Sequence, residues 1–315
     1  MVITMGYIDL FTNKPLSVSS LSDRNLNYTI NNNHDNADAY IIGVPFDSTT
    51  SYRPGARFGP NAIREALLNI EFNSLLDHSK SLECVRISDV GNIKNTTKPE
   101  VMIDMLNKVV NELVNNNRLI GILGGEHLLT LASYNAIADY YSSNKKDVML
   151  VVFDAHLDLR DEFNDCKLNH ATYLHRVIES KGNDGSNVVH IGARGFAKDE
   201  LYYASNTRVN LLMAKDILLD YNTAISRLKD IIASYDDAYI SIDLDAIDPA
   251  FAKGVGTPEP FGLTPIQMLE LLSLLKDKRI RCFDIVELCP PCDDGSTAIL
   301  AAKFMLELIL LSVNK

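Results

Sequence analysis

Eight short apolar runs, separated by helix-like segments, constrain the fold of this chain more than any other feature of its sequence. Each run ends in Gly, Asp or another turn former. The runs lack a strict alternation of polar and apolar residues, and this is the pattern of parallel strands that are buried on both faces. The eight runs cover residues 39–44, 84–88, 119–123, 148–153, 188–192, 209–213, 238–243 and 282–286.

Amphipathic segments lie between these runs. Residues 61–70, 101–114 and 264–275 are predicted helices, and Pro60 is suited to the first turn of one of them. Strands that alternate with helices imply a parallel sheet covered by helices on both sides, with right-handed crossovers. We therefore predict an α/β fold, a three-layer α/β/α sandwich with a mostly parallel eight-stranded sheet.

The chain contains no low-complexity linker and no internal repeat, so we predict a single domain over residues 38–315. Residues 1–37 are predicted to be an irregular N-terminal lead-in, because the second half of this segment is polar and rich in asparagine. The N-terminus lacks the pattern of a secretory signal. The apolar stretch 299–313 contains charged residues and falls short of the roughly 20 apolar residues that span a bilayer. We therefore expect a cytoplasmic protein without membrane association.

The charge balance restricts the possible partners. Asp and Glu outnumber Lys and Arg by 41 to 30, which gives a net charge of −11. Affinity for nucleic acid depends on clustered Lys and Arg, so we expect no nucleic-acid partner. An acidic protein suits a cationic substrate instead.

The five cysteines form an odd set without a regular framework, which is typical of a reducing compartment. Cys289 and Cys292 make a lone C-x-x-C motif. A redox motif of this type should open a helix, and a zinc site would need a second pair of ligands. Chance spacing is the interpretation we adopt from the sequence, and a redox protein that uses this pair is an alternative.

Acidic and histidine side chains follow four of the predicted strands. Ligands of open α/β sheets bind beyond the carboxyl ends of the strands, so these positions are where chemistry is expected. Asp154, His156 and Asp158 lie two residues apart, and in extended chain such residues face the same side. The side chains that follow the four strands are His127, Asp154, His156, Asp158, Asp243, Asp245 and Glu287.

The four aspartates of this set favour a pair of metal ions. Carboxylates gathered at one sheet edge repel one another and are driven to protonate unless cations lie among them. Imidazole and carboxylate ligands suit Mn²⁺ and similar ions. Two metal ions can lower the pKa of a shared water and supply hydroxide for hydrolysis. The alternative is that these residues are helix caps or solvated loop carboxylates, and the repetition of the pattern at separate strand ends argues against it.

The motifs GGEH (124–127), DAHLD (154–158) and SIDLDAIDP (241–249), in this order, resemble those of the ureohydrolase family of arginases and agmatinases. The flanking blocks 44–64 and 254–264 also resemble that family. The resemblance extends from about residue 38 to the C-terminus. It implies an arginase-like α/β/α fold, one ureohydrolase catalytic domain, two Mn²⁺ per subunit and a homotrimer or homohexamer.

The resemblance also implies a role for each site residue. Asp158 is expected to orient the hydroxide, Glu287 to accept the planar guanidinium group at two points, and His170 to pass a proton to the departing amine. The ligands implied for the first metal ion are His127, Asp154, Asp158 and Asp243, and those that complete the second are His156 and Asp245, with Asp154 and Asp243 bridging.

The loop that follows DAHLD bears on the choice of substrate. Its carboxylates Asp161, Glu162 and Asp165 would attract an amine and repel an α-carboxylate, so we expect agmatine, hydrolysed to putrescine and urea. Arg160 in the same loop leaves open 4-guanidinobutyrate, and arginase and formimidoylglutamase activities are further alternatives. Phe261 stands where the family usually has glycine.

A non-catalytic relative that keeps the metals is an alternative of a different class. Such a protein should have lost a metal ligand, His170 or Glu287, and this sequence retains all of them. The sequence therefore favours an enzyme, a metal-dependent amidinohydrolase.

Overall fold

The structure is a computed structural model that describes residues 6–14, 26–29, 36–143, 147–180 and 184–313. The described residues contain a single ten-stranded sheet with helices on both faces. The strands are β1 Thr12–Asn13, β2 Tyr28–Thr29, β3 Ala39–Gly43, β4 Ile87–Ile93, β5 Leu119–Leu123, β6 Val148–Phe153, β7 Val188–Ile191, β8 Asn210–Leu212, β9 Asp237–Asp243 and β10 Arg279–Val286.

The helices alternate with the strands along most of the chain. The α-helices of the described residues are α1 Tyr7–Phe11, α2 Gly59–Leu67, α3 Pro99–Val114, α4 Leu129–Ser143, α5 Tyr173–Ser180, α6 Lys198–Asn206, α7 Ala214–Leu219, α8 Tyr221–Ile232, α9 Pro265–Ser273 and α10 Ser296–Ser312. Proline lies in the first turn of α2, α3 and α9, as its fixed φ favours. Thr264 also accepts a hydrogen bond from the backbone N–H of Gln267 and so caps α9.

The sheet order is β1-β4-β3-β5-β10-β9-β6-β7-β8, and β2 pairs with β4. All eight predicted runs form strands, and every pair among those eight is parallel. The predicted α/β/α sandwich is confirmed, but the sheet has ten strands rather than eight. The additional strands, β1 and β2, contain two residues each. They are too short to show a pattern in the sequence.

Both additional strands come from the segment that we predicted to be an irregular lead-in. Within residues 1–37, the described parts form α1, β1 and β2, and β1 pairs antiparallel with β4. Residues 1–5, 15–25 and 30–35 of that segment lie outside the described ranges. The division at residue 37 into a lead-in and one domain stays a prediction.

Each central strand packs apolar side chains on both faces, which explains the absence of polar alternation in its sequence. In β6, Met149 and Val151 contact the core cluster that contains α2, α8, α9 and α10. Leu150 and Val152 contact the opposite cluster, which contains α3, α4 and α5. Among the helices of the described residues, none combines the length and the apolarity that a bilayer crossing needs.

A buried ion pair joins α2 to β4. Arg64 donates from Nε to Asp89 Oδ2 at 2.7 Å and from Nη2 to Asp89 Oδ1 at 2.8 Å, and both side chains are buried. The Tyr28 hydroxyl also donates to Asp89. Arg64 Nη1 donates to Asn92 Oδ1 at 2.6 Å, so the asparagine serves the guanidinium as a neutral acceptor. The pair therefore satisfies its hydrogen bonds within the protein.

Candidate metal centre

The predicted site residues meet because their strands are neighbours. The strands β5, β10, β9 and β6 are consecutive in the sheet and parallel, so their carboxyl ends share one edge. His127 follows β5, Asp154 follows β6 and Glu287 follows β10, while Asp243 is the last residue of β9. This edge holds all six predicted metal ligands.

His127 lies at the centre of the carboxylates. Its Nδ1 is 3.0 Å from Asp154 Oδ2, 3.2 Å from Asp243 Oδ2 and 3.7 Å from Asp158 Oδ2. All four side chains are buried. A ring nitrogen and three carboxylate oxygens thus face a common point.

His156 forms a second group that shares Asp154 with the first. Its Nδ1 is 3.0 Å from Asp245 Oδ2 and 3.6 Å from Asp154 Oδ1. The two oxygens of Asp154 therefore face different histidines, which is the arrangement a bridging carboxylate needs. Asp243 offers only Oδ2 to the cluster, because its Oδ1 accepts the backbone N–H of Asp245 at 2.8 Å. Bridging by Asp243 stays a prediction.

The electrostatics of the cluster favour bound cations. Burial, followed by the charge of a neighbouring aspartate, raises the pKa of Asp158 and of Asp243 well above the usual range. Burial lowers the pKa of His127, but the Asp154 carboxylate outweighs this and raises it to about 9. Cations among the carboxylates would relieve the repulsion that causes these shifts.

Two buried atoms at the centre are left without hydrogen bonds. Nδ1 of His127 and Oδ2 of Asp154 make no hydrogen bond of acceptable geometry within the described part of the chain, although they lie 3.0 Å apart. Buried polar atoms are rarely left unsatisfied, and two acceptors that face each other fit a cation between them. The residues present therefore fit divalent metal ions.

The carboxylates also shape the loop that carries them. Asp154 Oδ1 accepts the backbone N–H of His156 at 2.6 Å, and Asp245 Oδ1 accepts that of Ala155 at 3.0 Å. Asp158 and Glu287 adopt the left-handed region, with φ values of 50° and 63°. Non-glycine residues hold this conformation only where the surroundings enforce it, and such residues cluster at functional sites.

A buried chain of hydrogen bonds holds the His127 ring. Nε2 of His127 lies 2.8 Å from Ser241 Oγ, and Ser241 Oγ donates to Asp284 Oδ1 at 2.6 Å. Because Ser241 donates to the carboxylate, its oxygen accepts from Nε2–H, and this tautomer leaves the Nδ1 lone pair for a metal. Tyr173 stacks on the ring with centroids 4.1 Å apart.

Asp284 was missed in the sequence analysis because it lies inside an apolar run. The sequence did offer one sign of its role, because an acidic residue in the middle of a predicted buried strand needs hydrogen-bond partners. Asp284 also accepts hydrogen bonds from Thr130 and Tyr239, at 2.8 Å and 2.6 Å. A buried carboxylate with three donors is a structural anchor for the histidine ligand.

Replacing Asp284 with asparagine is expected to weaken metal binding by about 10- to 100-fold, because an outer partner of a ligating histidine is lost. The amide has a similar size but can donate to Ser241 Oγ, which frees the serine hydroxyl to donate to Nε2 and so favours the tautomer with its proton on Nδ1. Metal affinity is measured by titration with a competing chelator. Asp277→Asn, on the surface, is the matched control. Equal affinities of the two variants would contradict the role of Asp284.

Glu287 and His170 lie beside the metal ligands. Glu287 Oε1 accepts the backbone N–H of His127 at 2.8 Å and is 4.0 Å from His170 Nδ1. Burial, together with the neighbouring Glu126, raises the pKa of Glu287 to about 8. Burial lowers the pKa of His170 to about 4. Nε2 of His170 is buried and has no hydrogen-bond partner in the described residues.

A second residue missed in the sequence analysis, Glu126, positions this corner of the site. It is buried and accepts hydrogen bonds from the backbone N–H of Thr49 at 2.8 Å and from the Thr49 hydroxyl. Thr49 Oγ1 in turn accepts the backbone N–H of His170 at 2.9 Å. Burial raises the pKa of Glu126 to about 7. Glu126 therefore links the loop near residue 49 to the turn of His170.

A cavity opens above the cluster. His156, Asp158 and Asp243 contribute to its lining, and His170 also borders it. The aromatic rings of Phe163 and Phe196 also line the cavity, together with the side chains of Arg160 and Glu200. Nε of Arg160 is 3.6 Å from Oε2 of Glu200, and the guanidinium carbon of Arg160 lies 4.9 Å from the centroid of Phe163.

The structure does not bring Asp161, Glu162 and Asp165 to this cavity. All three are exposed, and Asp161 pairs with Arg176 on the surface. The chain turns outward here, with Asp165 in the left-handed region at φ 57°. The prediction that these carboxylates attract a substrate amine finds no support in this geometry. Besides the metal-ligand aspartates, Glu200 is a buried carboxylate in the cavity wall, and the sequence analysis missed it.

Phe261 does not fill the cavity. Its φ of 65° is the left-handed conformation that glycine favours, and 79% of its side chain is exposed. Arg194 fixes the preceding residues by donating to the carbonyl oxygens of Glu259 and Pro260, at 2.7 Å and 3.0 Å. The presence of Phe261 instead of glycine therefore changes the surface of this loop, while the hydrogen bonds from Arg194 to Glu259 and Pro260 remain.

Both the sequence and the fold of this chain are similar to those of known proteins. The chain matches the arginase family model over residues 37–311. It is 35% identical to the agmatinase of Pyrococcus horikoshii over 282 residues, covering 88% of this chain and 93% of that protein.

Two solved structures share the fold. The agmatine ureohydrolase of Thermoplasma volcanium superposes with a TM-score of 0.80 at 32% identity, covering 89% of this chain and 91% of that one. The proclavaminate amidinohydrolase of Streptomyces clavuligerus superposes with a TM-score of 0.81 at 32% identity, covering 91% and 95%. This chain is thus about equally similar to proteins whose names give different substrates.

Proposed function

This chain belongs to the arginase family, and from that premise we propose that it hydrolyses agmatine to urea and putrescine. One observation carries the proposal: two carboxylate–histidine groups share Asp154 beneath a cavity, with Glu287 and His170 at their side. This arrangement can bind metal, a planar cation and a proton in neighbouring positions. The reaction class, hydrolysis of a guanidino compound, follows from the family.

The metal ions proposed here are two Mn²⁺ per subunit. His127, Asp154, Asp158 and Asp243 would hold one ion, and His156 with Asp245 would complete the second, with Asp154 and Asp243 shared. When bound, such ions supply a water of lowered pKa as the nucleophile. Hard oxygen ligands with imidazole suit Mn²⁺, which supports this choice.

The side chains of the protein perform the remaining tasks. Glu287, fixed through the backbone N–H of His127, presents a carboxylate for two-point contact with a guanidinium. Asp158 orients the nucleophile through a hydrogen bond. His170, buried and uncharged at neutral pH, can accept a proton at Nε2 and then pass it to the departing amine. The apolar rings of Phe163 and Phe196 line the path that the alkyl chain would follow.

The substrate is proposed to be a small cation, with its amine near Glu200. The carboxylate of Glu200 accepts the backbone N–H groups of Leu159 and Ala197, at 3.2 Å and 2.7 Å, which fixes it in the wall. An ammonium group would meet this charge, whereas a carboxylate would meet repulsion. A guanidino acid is the second candidate, because Arg160 lines the same wall.

The first experiment is an assay of urea release. Purified protein with Mn²⁺ is given agmatine, L-arginine or 4-guanidinobutyrate, with a chelator-treated sample as control. We expect agmatine to be preferred by at least about 10-fold in kcat/KM, and chelation to abolish the activity. Preference for 4-guanidinobutyrate would overturn the substrate proposal, and no urea from any of them would overturn the activity proposal.

Replacing Arg160 with glutamine separates the two candidate substrates. For agmatine we expect kcat/KM to stay within about threefold. The Arg160 guanidinium repels this cationic substrate, so its removal costs only the packing of the Arg160 side chain on Phe163. For a guanidino acid, loss of the cation should cost about 10-fold or more. Steady-state kinetics with both substrates decide between these outcomes. A large loss confined to agmatine would contradict the expectation that Arg160 only repels this substrate and packs on Phe163.

We propose a homotrimer or homohexamer as the assembly. The resemblance of the motifs at 124–127, 154–158 and 241–249 to those of the ureohydrolase family implies this assembly. Light scattering coupled to size-exclusion chromatography measures the mass directly. A monomer of 35.0 kDa would overturn it.

A further inference from the structure

The C-x-x-C motif takes no part in the proposed function, yet the structure brings its sulfur atoms together. The thiol of Cys289 donates to Cys292, with Sγ atoms 3.3 Å apart. The backbone N–H of Cys292 donates to the carbonyl of Cys289 at 2.9 Å and closes the turn. A disulfide bond is about 2.05 Å long, so the sulfurs need to approach by only about 1.3 Å.

This turn does not resemble the motif of a dithiol oxidoreductase. Pro290–Cys292 forms a single 3-10 turn, and α10 begins only at Ser296. The pair therefore lacks the helix start that activates such motifs. A structural modification within the chain is a better description than catalysis of exchange on other proteins.

The two thiols differ in access. Cys289 is buried, whereas Cys292 is half-buried and reaches solvent. Burial, together with the neighbouring Cys292, raises the pKa of Cys289 to about 12. An oxidant in solution therefore meets Cys292 first, and Cys289 is placed to react second.

We propose that Cys289 and Cys292 form a reversible disulfide that weakens substrate binding at Glu287, the latter effect resting on the proposed function. The oxidant is a low-molecular-weight disulfide such as oxidised glutathione. The thiolate of Cys292 attacks one of its sulfurs and releases one glutathione. Cys289 then attacks the Cys292 sulfur of the mixed disulfide and releases the second. Two protein thiols lose two electrons and two protons, and one oxidised glutathione becomes two reduced ones.

Contacts of Cys289 connect this bond to the loop near residue 54. Its Sγ lies 3.6 Å from the carbonyl oxygen of Pro54, and its backbone N–H donates to Gly254 at 2.7 Å. A Cβ on Gly55 would lie 2.9 Å from Cys289 Sγ, so the backbone there is in close contact with the sulfur. Drawing this sulfur towards Cys292 disturbs that contact.

The same loop supports the carboxylate that would receive the guanidinium. Arg53 donates to the carbonyl oxygens of Val255 and Gly256, at 2.6 Å and 3.3 Å. A Cβ on Gly256 would lie 3.7 Å from Glu287 Oε2, in ordinary contact. Glu287 is also only two residues from Cys289 in the chain. A shift at the sulfur thus reaches Glu287 by two routes, while the metal ligands lie on other strand ends.

The bond itself is tested without substrate. The full chain is incubated with excess oxidised glutathione, and its mass and free thiols are measured. We expect a loss of about 2 Da, a decrease from five free thiols to three, and full reversal by a reductant. Cys292→Ser should show no intramolecular bond, whereas Cys84→Ser, at an exposed cysteine, should still form it. A wild-type chain that forms only mixed disulfides, or a Cys292→Ser chain that loses the same mass, would overturn the proposal.

The effect on binding is tested with the same samples. Displacing an active-site group by about 1 Å can lower the efficiency of an enzyme up to about 100-fold. We therefore expect oxidation to raise KM for agmatine about 10-fold without loss of metal. Cys292→Ser should keep its KM under oxidant. Equal KM values of oxidised and reduced wild type would overturn the coupling. If the protein releases no urea, the mass result still decides whether the disulfide forms, so the two failures are distinguishable.

Discussion

Replacing Asp154 with asparagine is expected to lower urea release by at least about 1,000-fold, or about 4 kcal/mol of transition-state stabilisation. Asp154 directs one carboxylate oxygen to each of two histidines, at 3.0 Å from Nδ1 of His127 and 3.6 Å from Nδ1 of His156. Asparagine has the same size, but its amide nitrogen donates hydrogen bonds and its amide oxygen carries no charge. One candidate metal position therefore loses its ligand, and the other keeps only a neutral oxygen. Metal content, measured by mass spectrometry of the dialysed protein, should decrease together with activity.

A matched substitution in the same loop controls for this experiment. Asp161→Asn removes a carboxylate that is 60% exposed and paired with Arg176, outside the cavity. We expect both metal content and urea release to stay near those of the wild type. An Asp154→Asn protein that retained its metal and its activity would contradict the shared-ligand role. A large loss in Asp161→Asn would restore the loop carboxylate to the site.

Replacing Asp89 with asparagine is expected to lower the free energy of unfolding by about 3–5 kcal/mol. The Arg64 guanidinium is buried, and Asp89 accepts two of its hydrogen bonds, at 2.7 Å and 2.8 Å. The amide cannot balance the charge, so an uncompensated cation remains in the core between α2 and β4. The change is measured by equilibrium unfolding in urea with metal saturated, so that metal loss does not contribute.

An exposed ion pair provides the comparison. Asp104 and Lys108 lie one turn apart on α3, 2.8 Å from each other, with 57% of the Asp104 side chain and 39% of the Lys108 side chain exposed. Asp104→Asn should change stability little, because solvent screens such pairs. If Asp89→Asn were equally mild, the buried pair would contribute no more than a surface pair, and our account of it would be wrong.

Much of the fold was predictable because the physics of parallel sheets acts locally. Runs such as 148–153 are apolar throughout, since both faces of β6 are buried. The metal-ligand cluster was predictable for a related reason: parallel strands bring their carboxyl ends to one edge, so acids after several strands must meet. Asp154 and Asp243 lie at the carboxyl ends of strands that are neighbours in the sheet, although they are 89 positions apart in the chain.

Other features depend on contacts that no local pattern carries. The two-residue strand β1 exists because β4 offers it an edge, and two residues show no periodicity. The direction of the loop after Asp158 decides that Asp161 faces solvent, and a positive φ at a non-glycine residue gives no sequence signal. Glu200 lines the cavity from the first turn of α6, and an acid at the start of a helix gives no sign of this role in the sequence. Composition could not assign these positions.

The sheet order has a consequence for the kinetics of folding. His127 and Glu287 touch through a hydrogen bond between residues 160 positions apart, and their strands, β5 and β10, are adjacent. No ligand set exists until these distant strands have paired, and closure of such long loops is slow. A cation then binds the native chain and not the unfolded one, and it stabilises the product of folding by mass action. Metal should therefore slow unfolding far more than it accelerates folding.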